Sequence, residues 1–411
     1  MFAPEAGQAF LRLLDTVCPQ LDQQQPDVTT GLRAYGRWFQ ALAAGQHGWR
    51  TYVIEQILCS DNPLSQQVQH TGLQGLAPEL ITATQQDLQA LQAVAECHDR
   101  LQQTLQLLLG QPLTLIPRAL NSTKATPSLF DGCEDWAEAL PALVDYYRQQ
   151  GTGLLGRYRA FSWQAGQLVG HVHPDPVSMD ELVGYESQRN QLIHNTQALL
   201  AGYPALNVLL YGSRGSGKSA LIKSLLTVYG DQGLRLLEVE KSELRHLPQI
   251  MECLRSVPQK FVIFVDDLSF EADEDTYKAL KVVLEGGLTA RPQNIVVYAT
   301  SNRRHLIREF FGDRPRPSNS DEVHAWDTVQ EKLSLSDRFG LTLTFEPADQ
   351  PTYLRIVHHL AQRAGITMST AELEDQALQW ATRQNGRSGR TARQFVDALQ
   401  AKLVTPPIPN T

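Results

Sequence analysis

The chain has 411 residues, 42% of them hydrophobic and 19% charged, enough to bury the cores of two or three domains. A net charge of −8 and a pI near 5.8 exclude a globally basic surface for nucleic acid or anionic membrane and leave only a local basic patch open. Five scattered cysteines (Cys18, Cys59, Cys97, Cys133, Cys253) have no C-x-x-C spacing, which argues against a disulfide framework or cysteine zinc site and for a reducing, cytoplasmic setting.

The N-terminal stretch MFAPEAGQAFLRLLDTVCPQ has no basic leader, and Arg12 and Asp15 break its apolar run. Neither a signal peptide nor membrane insertion is expected. Residues 1–150 read as a mostly helical region. In ELITATQQDLQALQAVAECHDRLQQTLQLLLG, Leu88, Leu91, Ala95, Leu101, Leu105 and Leu108 recur at steps of three, four and their sums, placing them on one helical face. Such a face packs inside an N-terminal bundle or offers a coiled-coil surface to a partner. Pro112, Pro117 and Pro127 make 111–129 a loop or linker.

Residues 153–185 change character. Aromatic and β-branched residues punctuated by glycine predict short strands, so 151–178 reads as connecting strands leading to a new domain. His171, His173 and Asp175 of HVHPDP lack a fourth ligand and sit beside prolines, which predicts a surface loop and no metal site.

From residue 179 short β-type runs alternate with amphipathic helical stretches: NVLLYG (207–212), LRLLEVE (234–240), FVIFVDD (261–267), NIVVYATS (294–301) and LTLTFEP (341–347). That alternation predicts an α/β domain over 179–347, a parallel sheet flanked by helices. Three helical segments over 348–404 predict a small helical domain, and 405–411 is a tail.

The run GSRGSGKS, comprising Gly212, Ser213, Arg214, Gly215, Ser216, Gly217, Lys218 and Ser219, fits G-x-x-x-x-G-K-S between a strand and a helix. Its glycines let backbone N–H groups curl round phosphates, and the helix N-terminus adds a favourable dipole. Lys218 is expected to reach the β- and γ-phosphates and the Ser219 hydroxyl to ligate Mg²⁺. The spacing of Gly212, Gly215 and Gly217 does not fit a dinucleotide fingerprint. In FVIFVDD a buried strand ends on two acids. Asp266 is expected to hold Mg²⁺, and Asp267 to face an attacking water.

With these residues in order, 179–404 resembles an AAA+ ATPase module, which implies a P-loop NTPase sheet with a C-terminal helical lid. DELVGYESQ resembles the segment that opens such modules, with Leu182, Val183 and Gly184 near the adenine. NIVVYATSNRR ends like sensor 1, so Asn302 would orient water. SLSDRFG resembles the arginine-finger segment of clamp-loader and branch-migration ATPases, which implies that Arg338 reaches the γ-phosphate of a neighbouring subunit. GRSGRTARQF resembles sensor 2, with Arg390 the contact and Arg393 the reserve. More narrowly, DDLSFEADEDTYKALKVVLEGGL followed by RPQNIVVYATSNRRHL and LSLSDRFGL is similar to a bacterial family of predicted AAA+ ATPases without an established substrate, which has a helical region ahead of the module and aspartate as the second acid.

The resemblance implies ATP and Mg²⁺ as cofactors and a homo-oligomer, a ring such as a hexamer, with the N-terminal helices free to hold a protein partner. EKSELRHLPQI (240–250) lacks the aromatic–hydrophobic–glycine loop of protein-threading rings, which disfavours an unfoldase. Aspartate at 267 is one methylene shorter than the commoner glutamate, so a slow ATP-controlled switch or loader is the alternative reading. A DNA-associated ATPase is a third, suggested by Arg303, Arg304, Arg308, Arg314 and Arg316. A solvated, acid-paired arginine surface is the simpler account of those residues.

Overall fold

The computed structural model describes residues 5–17, 28–45, 48–109, 129–270, 276–285, 291–303, 306 and 335–404. Most of the 111–129 segment, the 405–411 tail, Arg304, Arg308, Arg314 and Arg316 lie outside the described residues. The chain divides into two compact units, Met1–Arg157 and Tyr158–Thr411.

The first unit is helical: α1 (Glu5–Val17), α2 (Val28–Ala44), α3 (Trp49–Leu58), α4 (Pro63–Thr71), α5 (Pro78–Glu96), α6 (His98–Leu109), α7 (Leu140–Gln150) and α8 (Gly153–Arg157). Its core is aromatic. Phe10 lies over Trp49 with ring centroids 4.2 Å apart, and Trp38 meets Trp49 edge-on at 5.2 Å. Leu88, Ala95 and Leu101 are buried in this core, with Leu91 packed against it, so their helical face is used inside the unit. The side chains of Leu105 and Leu108 lie outside the described ones.

The stretch expected as one helical face over 79–110 instead contains two helices, α5 and α6, broken at Cys97. The cause is a long-range bond: the Trp49 indole N–H donates to the Val94 carbonyl at 2.8 Å. Cys97 N–H reaches that same carbonyl at 3.4 Å, a tightened turn in place of the regular α-helical bond.

The second unit carries the expected α/β fold. Its strands are β1 (Ala160–Gln164), β2 (Gln167–His171), β3 (Val208–Gly212), β4 (Leu234–Glu238), β5 (Lys260–Val265), β6 (Ile295–Ser301) and β7 (Leu341–Phe345). They form one sheet in the order β2-β1-β4-β5-β6-β3-β7, parallel except for the β1–β2 pair. The strands expected within 151–178 thus extend this sheet: β1 pairs in parallel with β4, Ala160 opposite Leu236. The hairpin turn between β1 and β2 has positive φ at both Ala165 (49°) and Gly166 (80°), the condition for a tight type I′ connection.

Helices α9 (Glu186–Leu200), α10 (Lys218–Tyr229), α11 (Leu247–Arg255) and α12 (Thr276–Glu285) accompany the sheet. After β7 come α13 (Gln350–Arg363), α14 (Thr370–Arg383) and α15 (Gly389–Val404), which bury their own core of Tyr353, Val357, Ala377 and Phe395. Asp349 caps α13 by accepting from Thr352 N–H at 2.9 Å. Central strand β5 buries every residue from Phe261 to Val265, as its unbroken apolar run requires. The strand order sets the C-terminal end of β6 between those of β3 and β5. Phosphate-loop, polar strand-end and acid residues therefore gather along one edge. Among the described residues no helix is long and apolar enough to cross a membrane, and no His/Cys/Asp/Glu group has a metal-holding arrangement, including HVHPDP.

Candidate active site

The loop after β3 begins at Gly212, whose φ is 138° and whose missing side chain decides the local path. A Cβ there would lie 1.9 Å from the Phe345 carbonyl oxygen, the same oxygen that accepts from Ser213 N–H at 3.0 Å. Ser216 Oγ donates to the Ser213 carbonyl at 2.9 Å, tightening the loop, while the Arg214 side chain points to solvent. Gly217, at φ 92°, caps α10, and Leu182 closes over it. Val183 packs against the lid core, and Gly184 lies beside Thr352 and Ile356 of α13. Leu182 to Gly184 therefore bridge the phosphate loop and the lid.

Lys218 is only 6% exposed. Its Nζ donates to the Gly212 and Ser213 carbonyls at 3.0 and 2.7 Å and reaches Asn302 Oδ1 at 3.5 Å. Burial lowers its pKa, the carboxylates of Asp266 and Asp267 oppose that shift, and the Arg390 charge adds to it. The site thus contains a largely buried cation held on backbone oxygens.

The two acids follow β5. Asp266 Oδ1 accepts from Ser219 Oγ at 2.6 Å and from Thr300 Oγ1 at 2.5 Å. Asp267 has φ 48°, the left-handed region, which aspartate tolerates better than most residues. Its N–H donates to Thr300 Oγ1 at 2.9 Å and reaches Asp266 Oδ1 at 3.1 Å. Its carboxylate accepts from Asn302 Nδ2 at 2.5 Å. Lys218, Ser219, Asp266, Asp267 and Asn302 are therefore joined in one set of bonds, and Thr300 completes it. Thr300 escaped the sequence reading. The available signal was a hydroxyl at the end of an otherwise apolar strand, and the structure buries it to 2% exposure.

Arg390 meets the phosphate loop through its backbone, its N–H donating to Gly215 O at 3.1 Å. Its side chain is exposed and has no hydrogen bond or ion pair among the described residues. Arg393, by contrast, pairs with Glu181, which also holds Arg363 at 3.4 Å. Arg338 sits in the short turn Ser336–Arg338 before β7, where its Nε donates to the Glu285 carboxylate at the end of α12.

A Mg²⁺ ion bound with nucleotide needs few protein ligands, because phosphates and waters fill most of its octahedral shell. The Ser219 hydroxyl and Asp266 carboxylate, already in contact beside the phosphate loop, suit that donor set. A sequence profile described as "Protein of unknown function (DUF815)" matches residues 156–403, which spans this whole site. The chain belongs to the DUF815 family. No curated protein matches this DUF815 chain. Among solved structures it is similar to the Thermotoga maritima RuvB Holliday junction branch migration motor, at 16% identity and TM-score 0.38 over 56% of this chain and 65% of that one. It is similar also to a point variant of that protein, at 18% identity and TM-score 0.40 over 56% and 66%. The chain thus spans just under two thirds of the length of these structures.

Proposed function

We propose that this DUF815 chain is a Mg²⁺-dependent AAA+ ATPase. In this reading it works as a homo-oligomer and couples ATP hydrolysis to remodelling or loading a protein partner held by its N-terminal helices. The observation that carries the reading is the single bonded set linking Lys218 and Ser219 of the phosphate loop to Asp266, Asp267 and Asn302. Loop N–H groups from Gly212 to Ser219 cradle the phosphates, and Lys218 exchanges its carbonyl partners for β- and γ-phosphate oxygens. Leu182, Val183 and Gly184 cover the adenine. Ser219 and Asp266 would hold Mg²⁺, which would supply neutralisation of phosphate charge when bound.

Asn302 and Asp267 position a water for in-line attack. The water oxygen bonds to the γ-phosphorus, the bond from that phosphorus to the bridging oxygen breaks, and Asp267 accepts the water proton. Arg390 from the lid, and Arg338 from a neighbouring copy, stabilise charge spreading over the γ-phosphoryl oxygens. Phosphate release and fluorescent-nucleotide binding test this directly. The native chain is expected to turn over ATP and Lys218→Ala to lose both readouts; a native chain without Mg²⁺-dependent turnover refutes the hydrolytic reading.

A second reading, a slow ATP-controlled switch or loader, draws on aspartate at 267 and on Lys241–Arg255. That segment follows β4 as a 3-10 turn and α11 with no aromatic residue. The two readings differ in rate: a switch retains bound nucleotide through many minutes, whereas a cycling motor releases ADP and phosphate continuously.

A further inference from the structure

We propose that Thr300 is the positioning residue for both acids: its one hydroxyl fixes the Asp266 carboxylate beside Ser219 and the left-handed turn that aims Asp267 at Asn302. The proposal rests on reading the site as one for Mg²⁺ and ATP. It begins with the limited bonding options of the two partners. A carboxylate only accepts and a backbone N–H only donates, so a side chain bridging them must both donate and accept, which a hydroxyl does at one atom. Thr300 Oγ1 does so, donating to Asp266 Oδ1 at 2.5 Å and accepting from Asp267 N–H at 2.9 Å. Those two bonds leave the hydroxyl proton a single orientation.

The hydroxyl is held as firmly as what it holds. Thr300 lies in β6 at 2% exposure, and its carbonyl accepts from Leu268 N–H at 2.7 Å. The next residue, Ser301, donates its hydroxyl to the Leu268 carbonyl at 2.8 Å. The ends of β5 and β6 are thereby stitched on both sides of Asp267, and the turn at φ 48° is enforced from outside. The bond to Asp266 is charge-assisted and the group nearly dry, so its loss frees the carboxylate to rotate away from the metal position. Groups that orient a metal-ligating side chain act through that ligand, and their removal typically costs about 10–100-fold in metal affinity or activity.

The test uses the full chain with fluorescent ATP, titrated first without metal and then with Mg²⁺, alongside phosphate release. Thr300→Val keeps the shape and removes the hydroxyl. It is expected to bind ATP like the native chain without metal, yet to need about 10–100-fold more Mg²⁺ for the metal-dependent signal and for half-maximal turnover. Thr300→Ser keeps the hydroxyl and is expected to restore the native Mg²⁺ response. A native Mg²⁺ response in Thr300→Val overturns the proposal while leaving the ATP site standing. So does a Thr300→Ser variant with the full defect, because the methyl group and not the hydroxyl would then matter. A native chain that binds no nucleotide overturns the site reading, and the role of Thr300 with it.

Discussion

If the proposed ATPase reading holds, replacing Asp267 with the longer glutamate is expected to slow turnover, and the reason lies in its backbone. Asp267 sits at φ 48° with its carboxylate already 2.5 Å from Asn302 Nδ2. Asp267→Glu adds one C–C bond, ~1.5 Å, to a side chain with no slack in that direction. It also puts a residue with no short polar group into the left-handed region, at roughly 1–2 kcal/mol. Misplacing a reacting group by about 1 Å costs on the order of 10²-fold in rate, so turnover should fall by about that factor. The strain should lower the melting temperature by roughly 2–4 °C per kcal/mol in a unit of this size. Steady-state phosphate release at saturating Mg²⁺ and ATP measures the first effect, and a thermal melt the second. Asp267→Asn is the control, since asparagine accepts the same backbone but lacks the base; it should lose turnover and keep both nucleotide affinity and melting temperature. Faster turnover in Asp267→Glu would refute this reasoning and would mean that aspartate detunes the site as a slow switch requires.

Gly212→Ala places a Cβ 1.9 Å from the Phe345 carbonyl oxygen, so backbone strain of about 1–3 kcal/mol or more should shift the urea midpoint down; an unchanged midpoint refutes the close approach. If Arg338 acts across a subunit boundary, Arg338→Ala and Lys218→Ala should each be inactive alone, with loss in the range of about 10³–10⁵ for the finger. Mixing the two should restore part of the turnover, because native arginine then meets native phosphate loop, and mixtures that stay inactive rule out the trans role. Tyr298→Phe leaves Asn195 and Thr196 without their phenol partner and should cost roughly 1–3 kcal/mol in urea unfolding. Burial pushes the Tyr298 phenol up from 10.0 to about 12. Its raised pKa means the stabilising protonated form is fully present below pH 10 and lost as pH rises through 12, so the native–variant difference should shrink across that window.

What could be read from the residues follows the distance over which each feature is decided. Strands β3 to β6 of the second unit were legible because each is a short, largely apolar run buried on both faces, and β7 because its LTLTF alternates more and less buried residues. The phosphate loop was legible for the same reason, as glycine, lysine and serine act within eight consecutive positions. The break at Cys97 was not, because it depends on a Trp49 indole arriving from 45 positions earlier to take the Val94 carbonyl. The sequence ranked Arg390 ahead of Arg393 but could not show their surroundings, because the Arg393 partner, Glu181, lies 212 positions away, while the Arg390 side chain is exposed. Thr300 was hidden by the same kind of gap, since only the adjacency of β5 and β6 makes its hydroxyl a neighbour of both acids.

These long-range contacts also divide the site by function. The groups proposed to bind and activate ATP, from Lys218 to Asn302, reach one another within a single chain through Thr300 and Ser219. The arginine proposed to complete the transition state belongs to the same chain but is held aside by Glu285 on α12. In the proposed reading, such a subunit would hold nucleotide with its own residues and depend on another copy's arginine for rapid cleavage. On that arrangement, aspartate at 267 does not set the pace by its length alone. The left-handed turn and the Asn302 bond place its carboxylate where a longer acid would overshoot, and in the proposed reading Arg338 of a neighbouring copy would govern when that placement is used.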